Sequence, residues 1–142
     1  MIDLGSGKGK VLLIASEFGF REARGIEISR RLCNIAINNC HIYKQLTNNE
    51  TNFVVINSDV INYNMRDDED VFYMFNPFDE YVLKQMMKNI SESILRQNRK
   101  IWIIYRNAIY KDIIDTNKYF TKITDFISLG QEYAVYTNRG DV

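Results

Sequence analysis

The first ten residues constrain this chain more than any other stretch. Asp3-Leu4-Gly5-Ser6-Gly7-Lys8-Gly9-Lys10 interrupts a short apolar run with three glycines at alternate positions, and a helical pattern follows. That order reads as strand, tight turn and helix start. Glycine has no Cβ and tolerates positive φ, so backbone there can approach a ligand closely. Free N–H groups at a helix start favour electron-rich ligand atoms. The turn therefore suits a nucleotide-like ligand without saying which. A nicotinamide site asks for Gly-x-Gly-x-x-Gly, and here the third glycine comes one position early, at Gly9. A phosphate-binding P-loop counted from Gly5 needs its second glycine where Lys10 stands, and no Ser or Thr follows. Lys8 and Lys10 suit a phosphate or are simply solvated at the helix start.

Beyond the turn, apolar runs alternate with helical patterns, with no internal repeat, low-complexity tract or linker. Met1–Leu4 is the tail of a strand, shorter than the usual length of about five or six residues. Lys10–Phe18 reads as a helix with Val11, Leu12, Ile14, Ala15 and Phe18 on its apolar face and Gly19 ending it. Ala23–Ile28 is a second strand, closing at Glu27. Ser29 caps a helix from Arg30 to about Tyr43. Asn52–Asn57 is a third strand, leading to Asp59. Val71–Phe75, nearly all apolar, is expected to be a strand buried on both faces. Asp79 caps a helix whose inner face is Leu83, Met86, Met87, Ile90, Ile94 and Leu95. Lys100–Tyr105 is a fifth strand, Asn107 caps a short helix to about Thr116, and Tyr119–Ser128 and Glu132–Thr137 form a hairpin turning at Gly130. The expected fold is α/β: a Rossmann-like doubly wound sheet, mostly parallel, with an antiparallel C-terminal edge hairpin, in a single domain spanning 1-142.

Composition excludes several other classes. With 46% hydrophobic residues, the chain can bury a core. Its 18 basic and 18 acidic residues cancel, so no overall field draws nucleic acid or an anionic membrane. The longest apolar runs, such as Val11–Ala15 and Ile101–Tyr105, are too short to span a bilayer, and the N-terminus has no secretory pattern. A soluble, cytoplasmic protein with no membrane partner is expected. Cys33 and Cys40 lie seven residues apart on one helix, roughly 10 Å of rise and too far for a disulfide. With one histidine and no Cys-x-x-Cys pair, no metal site is expected, and both thiols should face the core.

Open α/β sheets take their ligands beyond the carboxyl ends of the strands. Asp3, Glu27, Asp59 and Asn76 fall at those ends of the first four strands. Acidic residues at strand ends are often just loop residues or helix caps. Four polar residues in succession beside a glycine turn point to a binding rim.

Asp3–Gly9, followed by Gly25-Ile26-Glu27-Ile28, resembles the first two motifs of the class I S-adenosylmethionine-dependent methyltransferases, and Asp59 and Asn76-Pro77-Phe78 resemble later ones. Order and spacing agree, so the resemblance covers essentially the whole chain. It implies S-adenosyl-L-methionine as cofactor. Gly5, Ser6 and Gly7 would bring backbone against its methionine end and ribose, with Asp3 holding the ammonium group directly or through water. Glu27, with both carboxylate oxygens free, would accept hydrogen bonds from the two ribose hydroxyls; it lies eighteen residues after Gly9, close to the offset of a ribose-binding acid. Ile28 would pack on the adenine, and Asp59, with Val60 beside it, would accept from the exocyclic amino group.

The residues Asn76, Pro77 and Phe78 bear on the acceptor, and Asn76 also borders the cofactor. Amino-methylating members end their fourth strand with Asn, Asp or Ser, then Pro-Pro and an aromatic residue. Oxygens of the motif accept the hydrogens of the acceptor amino group, and the ring stacks on its planar part. With one proline here, nitrogen methylation is implied but adenine is not singled out. The motif also resembles a loosely defined group of small bacterial-type methyltransferases, distantly related to the lysine-methylating Dot1-like enzymes. Direct displacement is the expected mechanism, with positioning contributing about 7–11 kcal/mol and no strong general base required. His41 lies late in its helix, away from the rim; Tyr81 and Tyr105 are nearer the expected acceptor pocket but read first as packing. Arg21, Arg24, Arg30 and Arg31 are only a modest basic cluster, so a protein side chain, a small amine and an RNA base all stand as acceptors. The rival expectation is a non-catalytic fragment, truncated at the N-terminus and lacking the usual cap region before the first strand.

Overall fold

The computed structural model describes residues 1–75 and 78–138. The chain comprises two compact units, Met1–Tyr63 and Asn64–Val142. In the first, β1 (Ile2–Leu4), α1 (Lys10–Glu17), β2 (Glu22–Glu27), α2 (Arg30–Thr47) and β3 (Asn52–Asn57) alternate, and a 3-10 turn follows at Val60–Asn62. β2 pairs in parallel with both β1 and β3, placing Asp3 and Val55 on either side of Gly25. Parallel neighbours need crossover connections, which α1 and α2 supply. Leu12, Ala15, Ala23 and Cys40 form a core cluster against which Phe20, Phe53 and Val55 pack. Fully burying Leu12 contributes about 1.5–3 kcal/mol.

α1 buries a narrower face than its pattern suggests. Leu12, Ala15 and Ser16 are buried, whereas Ile14 and Phe18 are exposed. Phe18 is the C-cap, past the last helical residue, and Ile14, two residues from Leu12 at about 100° each, faces away from it. α2 runs to Thr47, not Tyr43, because Asn48 supplies a left-handed C-cap. At its start the Ser29 side chain accepts the Leu32 N–H at 3.4 Å. Both cysteines are buried and free, and burial pushes both thiols up.

In the second unit β4 (Val71–Phe75), α3 (Glu80–Arg96), β5 (Trp102–Arg106), α4 (Lys111–Asp115), β6 (Phe120–Ser128) and β7 (Gln131–Asn138) follow one another. β4 and β5 are parallel, β7 runs antiparallel to β5, and β6 runs antiparallel to β7 as the expected hairpin. Its turn places Leu129 and Gly130 at positive φ. Asp79 caps α3 by accepting the Val82 N–H at 2.9 Å. Leu83, Met86, Met87, Ile90 and Ile94 are buried as expected, but Leu95 is exposed.

Two expectations fail here. Asn107 caps no helix: it sits at φ 52°, donates its N–H to the Glu132 carbonyl, and turns the chain away from β5 before α4 begins at Lys111. Asparagine is among the few residues that visit this region readily. Nor is β4 buried on both faces. Phe72 and Met74 are buried, Val71 and Tyr73 half-buried, and Phe75 is 47% exposed. The registered neighbours repeat the alternation, with Ile103, Tyr105, Ala134 and Tyr136 buried on one face and Ile104 and Val135 only half-buried on the other.

Candidate cofactor site

Every expected cofactor residue except Asn76 lies in the first unit. Gly5, Gly7 and Gly9 have φ of 85°, 53° and 82°, the left-handed region that side chains with a Cβ avoid. The N–H groups of Gly5 and Ser6 both donate to the Ile26 carbonyl, at 2.9 and 3.0 Å, so the turn is latched onto the end of β2. Gly25 makes that latch sterically possible: a Cβ there would lie 2.5 Å from Ser6 Oγ and 2.7 Å from Ser6 Cβ.

Glu27, at the end of β2, is buried. The expectation of two free carboxylate oxygens needs correction, because Oε2 accepts the Gly7 N–H at 2.9 Å and Oε1 accepts the Ser29 N–H at 2.8 Å. The same carboxylate thus braces the glycine turn and the start of α2. Each carboxylate oxygen has about two lone-pair sites, so each keeps one for a ligand hydroxyl.

Asp3 is 3% exposed within β1. Burial, and then the charge of Glu27, raise its pKa from 3.8 to about 7. A neighbouring cation would reverse that penalty. Ser6 Oγ is buried with no hydrogen-bond partner among the described residues, a polar atom in want of one. Ile28 follows Glu27 and is 69% exposed, an apolar side chain left in the open.

Three residues without an assigned role in the sequence fix this strand end. Asn57 Nδ2 donates to the carbonyls of Glu27 and Ile28 at 3.0 and 2.8 Å. Ser58 N–H and Cys33 Sγ reach the Glu27 carbonyl at 3.1 and 3.3 Å. A polar residue closing an otherwise apolar strand was the only signal for Asn57, and nothing in the spacing singled out Cys33. Asp59 Oδ1 accepts the Ile61 N–H at 3.1 Å and caps the 3-10 turn. Val60 beside it is buried and supports the turn from within.

A buried acid suited to an ammonium, an orphan hydroxyl, a carboxylate with two spare lone pairs and an exposed aliphatic side chain fit the charged, diol and flat apolar parts of S-adenosylmethionine. Asn76 and Pro77 lie outside the described residues, and Phe78 is half-buried beside Asp79. His41 is exposed on α2. Tyr105 is buried, its hydroxyl oxygen accepting the Tyr110 N–H at 3.4 Å, while Tyr81 is exposed. Among the described residues no group of three or more His, Cys, Asp or Glu could hold a metal ion, and no helix is long and apolar enough to cross a membrane.

Comparison with known proteins bears on the family, the fold and the cofactor. A family model described as "Histone methylation protein DOT1" matches residues 1–118. No curated protein matches the sequence. Among solved structures, a putative methyltransferase, yhhF, from Escherichia coli is 14% identical with a TM-score of 0.74, covering 99% of this chain and 77% of its own. An RNA methyltransferase from Salinibacter ruber in complex with S-adenosyl-L-homocysteine also gives 14% and 0.74, with 99% and 81% covered. Magnesium protoporphyrin IX methyltransferase from Synechocystis PCC 6803, with bound S-adenosylmethionine, gives 12% and 0.72, with 97% and 69% covered. The architecture is therefore the Rossmann-like, mostly parallel fold with antiparallel edge strands.

Proposed function

Because the chain belongs to the DOT1 histone-methylation family and is thus an S-adenosylmethionine-dependent methyltransferase, we propose that it methylates an amino nitrogen of its acceptor. The observation that carries this reading is Asn76-Pro77-Phe78, directly after β4. An amide oxygen and a carbonyl oxygen there would accept the two amino hydrogens, leaving the nitrogen lone pair directed outward. Phe78 would hold the planar part of the acceptor. On the cofactor side Asp3 would meet the ammonium, Glu27 the ribose diol, Ile28 the adenine face and Asp59 its amino group. Gly5, Ser6 and Gly7 would bring backbone alongside, and Val60 would support Asp59 from the core. The cofactor, when bound, supplies an already electrophilic methyl group, so these residues need only align the acceptor. We read residues 1-142 as one catalytic domain.

The test is incubation with methyl-labelled cofactor and a cell extract, separated into protein, RNA and small molecules. Label recovered as N-methyl product in one fraction is the expected result. Label recovered only as O-methyl or C-methyl product, or in no fraction, would refute the amino assignment.

A further inference from the structure

Four side chains of the second unit stand in one registered row. Phe75 of β4 lies opposite Arg106 of β5, Arg106 opposite Tyr133 of β7, and Tyr133 opposite Phe126 of β6. The row crosses the carboxyl ends of β4, β5 and β6, the rim where α/β sheets bind ligands. The Arg106 guanidinium carbon is 4.7 Å from the centre of the Phe75 ring and 5.7 Å from that of Tyr133. Tyr133 and Phe126 stack at 5.0 Å, their planes 4° apart. Phe75 and Phe126, at the two ends of the row, are each 47% exposed.

Arg106 differs from the other described arginines of this unit. Arg66 pairs with Asp68, Arg96 with Asp67, and Arg99 donates to the Glu69 and Ser93 carbonyls. Among the described residues no carboxylate pairs with Arg106, and its Nε is buried without a hydrogen-bond partner. Burying a charged donor without an acceptor is costly, and attraction to the two rings offsets only part of it. Among the described residues the guanidinium fork is thus held between two rings with no anionic partner, a geometry matched to a phosphate or carboxylate. The exposed rings at either end decide between these. A carboxylate would use the arginine and leave the rings idle, whereas a nucleotide offers an anion for the arginine and a flat base for a ring.

We propose that Arg106, flanked by Phe75 and Phe126, recognises a nucleotide unit of the methyl acceptor. The guanidinium takes the phosphate and an exposed ring stacks on a base. The assignment rests on the nitrogen-methylation reading, since Phe75 runs directly into Asn76-Pro77-Phe78 and the acceptor amino group is then that of a nucleobase. A free nucleotide and a single strand share this chemistry, and the probes separate them.

The full chain is titrated with adenosine, cytidine and guanosine monophosphates and with a single-stranded RNA of about twelve nucleotides of mixed sequence. The same titrations are made on Arg106→Gln, Arg106→Lys and Phe126→Ala, with S-adenosylhomocysteine affinity measured in each. At least one probe binds the wild type, more weakly as salt rises. Arg106→Gln weakens it about tenfold or more, Arg106→Lys less, and Phe126→Ala about fivefold, with S-adenosylhomocysteine affinity unchanged. Monophosphate binding assigns a free nucleotide, and binding of the RNA alone assigns a strand. The proposal is overturned if the wild type binds none of the probes at millimolar concentration, or if every variant that folds binds as the wild type does. Phe126 is a surface side chain, so its variant decides the matter even where an Arg106 variant misfolds. Wild-type chain that binds a probe but not S-adenosylhomocysteine would refute the cofactor site and leave the nucleotide assignment standing.

Discussion

Asp3 should make cofactor binding depend on pH in a defined direction. Its carboxyl is nearly inaccessible and shifted from 3.8 to about 7, by burial first and by Glu27 second. Between about pH 4 and pH 7 the folded chain therefore holds a proton that the unfolded chain has released, so stability falls as pH rises through that window. About three units at 1.36 kcal/mol each make the fall about 4 kcal/mol for this one group. An ammonium placed beside Asp3 favours the carboxylate, so binding below pH 7 must expel the proton. Affinity for S-adenosylhomocysteine should then rise about tenfold per pH unit, about a hundredfold from pH 5 to pH 7, and level off above. Titration calorimetry in buffers of differing ionisation enthalpy measures both the slope and the proton released. In Asp3→Asn the slope should vanish, and so should this component of the pH dependence of thermal stability. A wild-type affinity that is flat over those two units, or a slope that survives in Asp3→Asn, refutes the reasoning.

Gly25→Ala should force the glycine turn off β2, because its new methyl would lie 2.5 Å from Ser6 Oγ; a loss of about 1–3 kcal/mol in chemical denaturation is expected, with weakened cofactor binding. Ile28→Ser changes an exposed side chain, so its stability should stay within about 0.5 kcal/mol of wild type, while S-adenosylhomocysteine affinity drops about three- to tenfold through lost apolar contact. Equal affinity in the two proteins would remove Ile28 from the adenine face.

The glycine turn was legible because its constraint is local: three positive-φ positions demanded three glycines, and all three are used. The place of Glu27 at the end of β2 was legible, but its brace was not, since spacing cannot show that the Gly7 and Ser29 N–H groups converge on one carboxylate. Gly25 stood in a recognised motif, yet its reason, the approach of Ser6, exists only once β2 and the turn are in register. Asn107 misled because a good N-cap residue is equally a good left-handed turn residue, and the Glu132 carbonyl on a distant strand decided between them. β4 misled because its composition is apolar throughout while only Phe72 and Met74 find the core. The Phe75–Arg106–Tyr133–Phe126 row comes from three strand registers, none of them readable from spacing.

The central claim is that the turn and Glu27 together hold S-adenosylmethionine. Calorimetric titration of the wild-type chain and of Glu27→Ala with S-adenosylhomocysteine tests it most directly. The wild type should bind, and Glu27→Ala should bind at least about tenfold more weakly, since hydrogen bonds to a charged acceptor contribute about 1.5–3 kcal/mol each. A wild-type chain that gives no heat at millimolar ligand, or a Glu27→Ala chain with unchanged affinity, would contradict it.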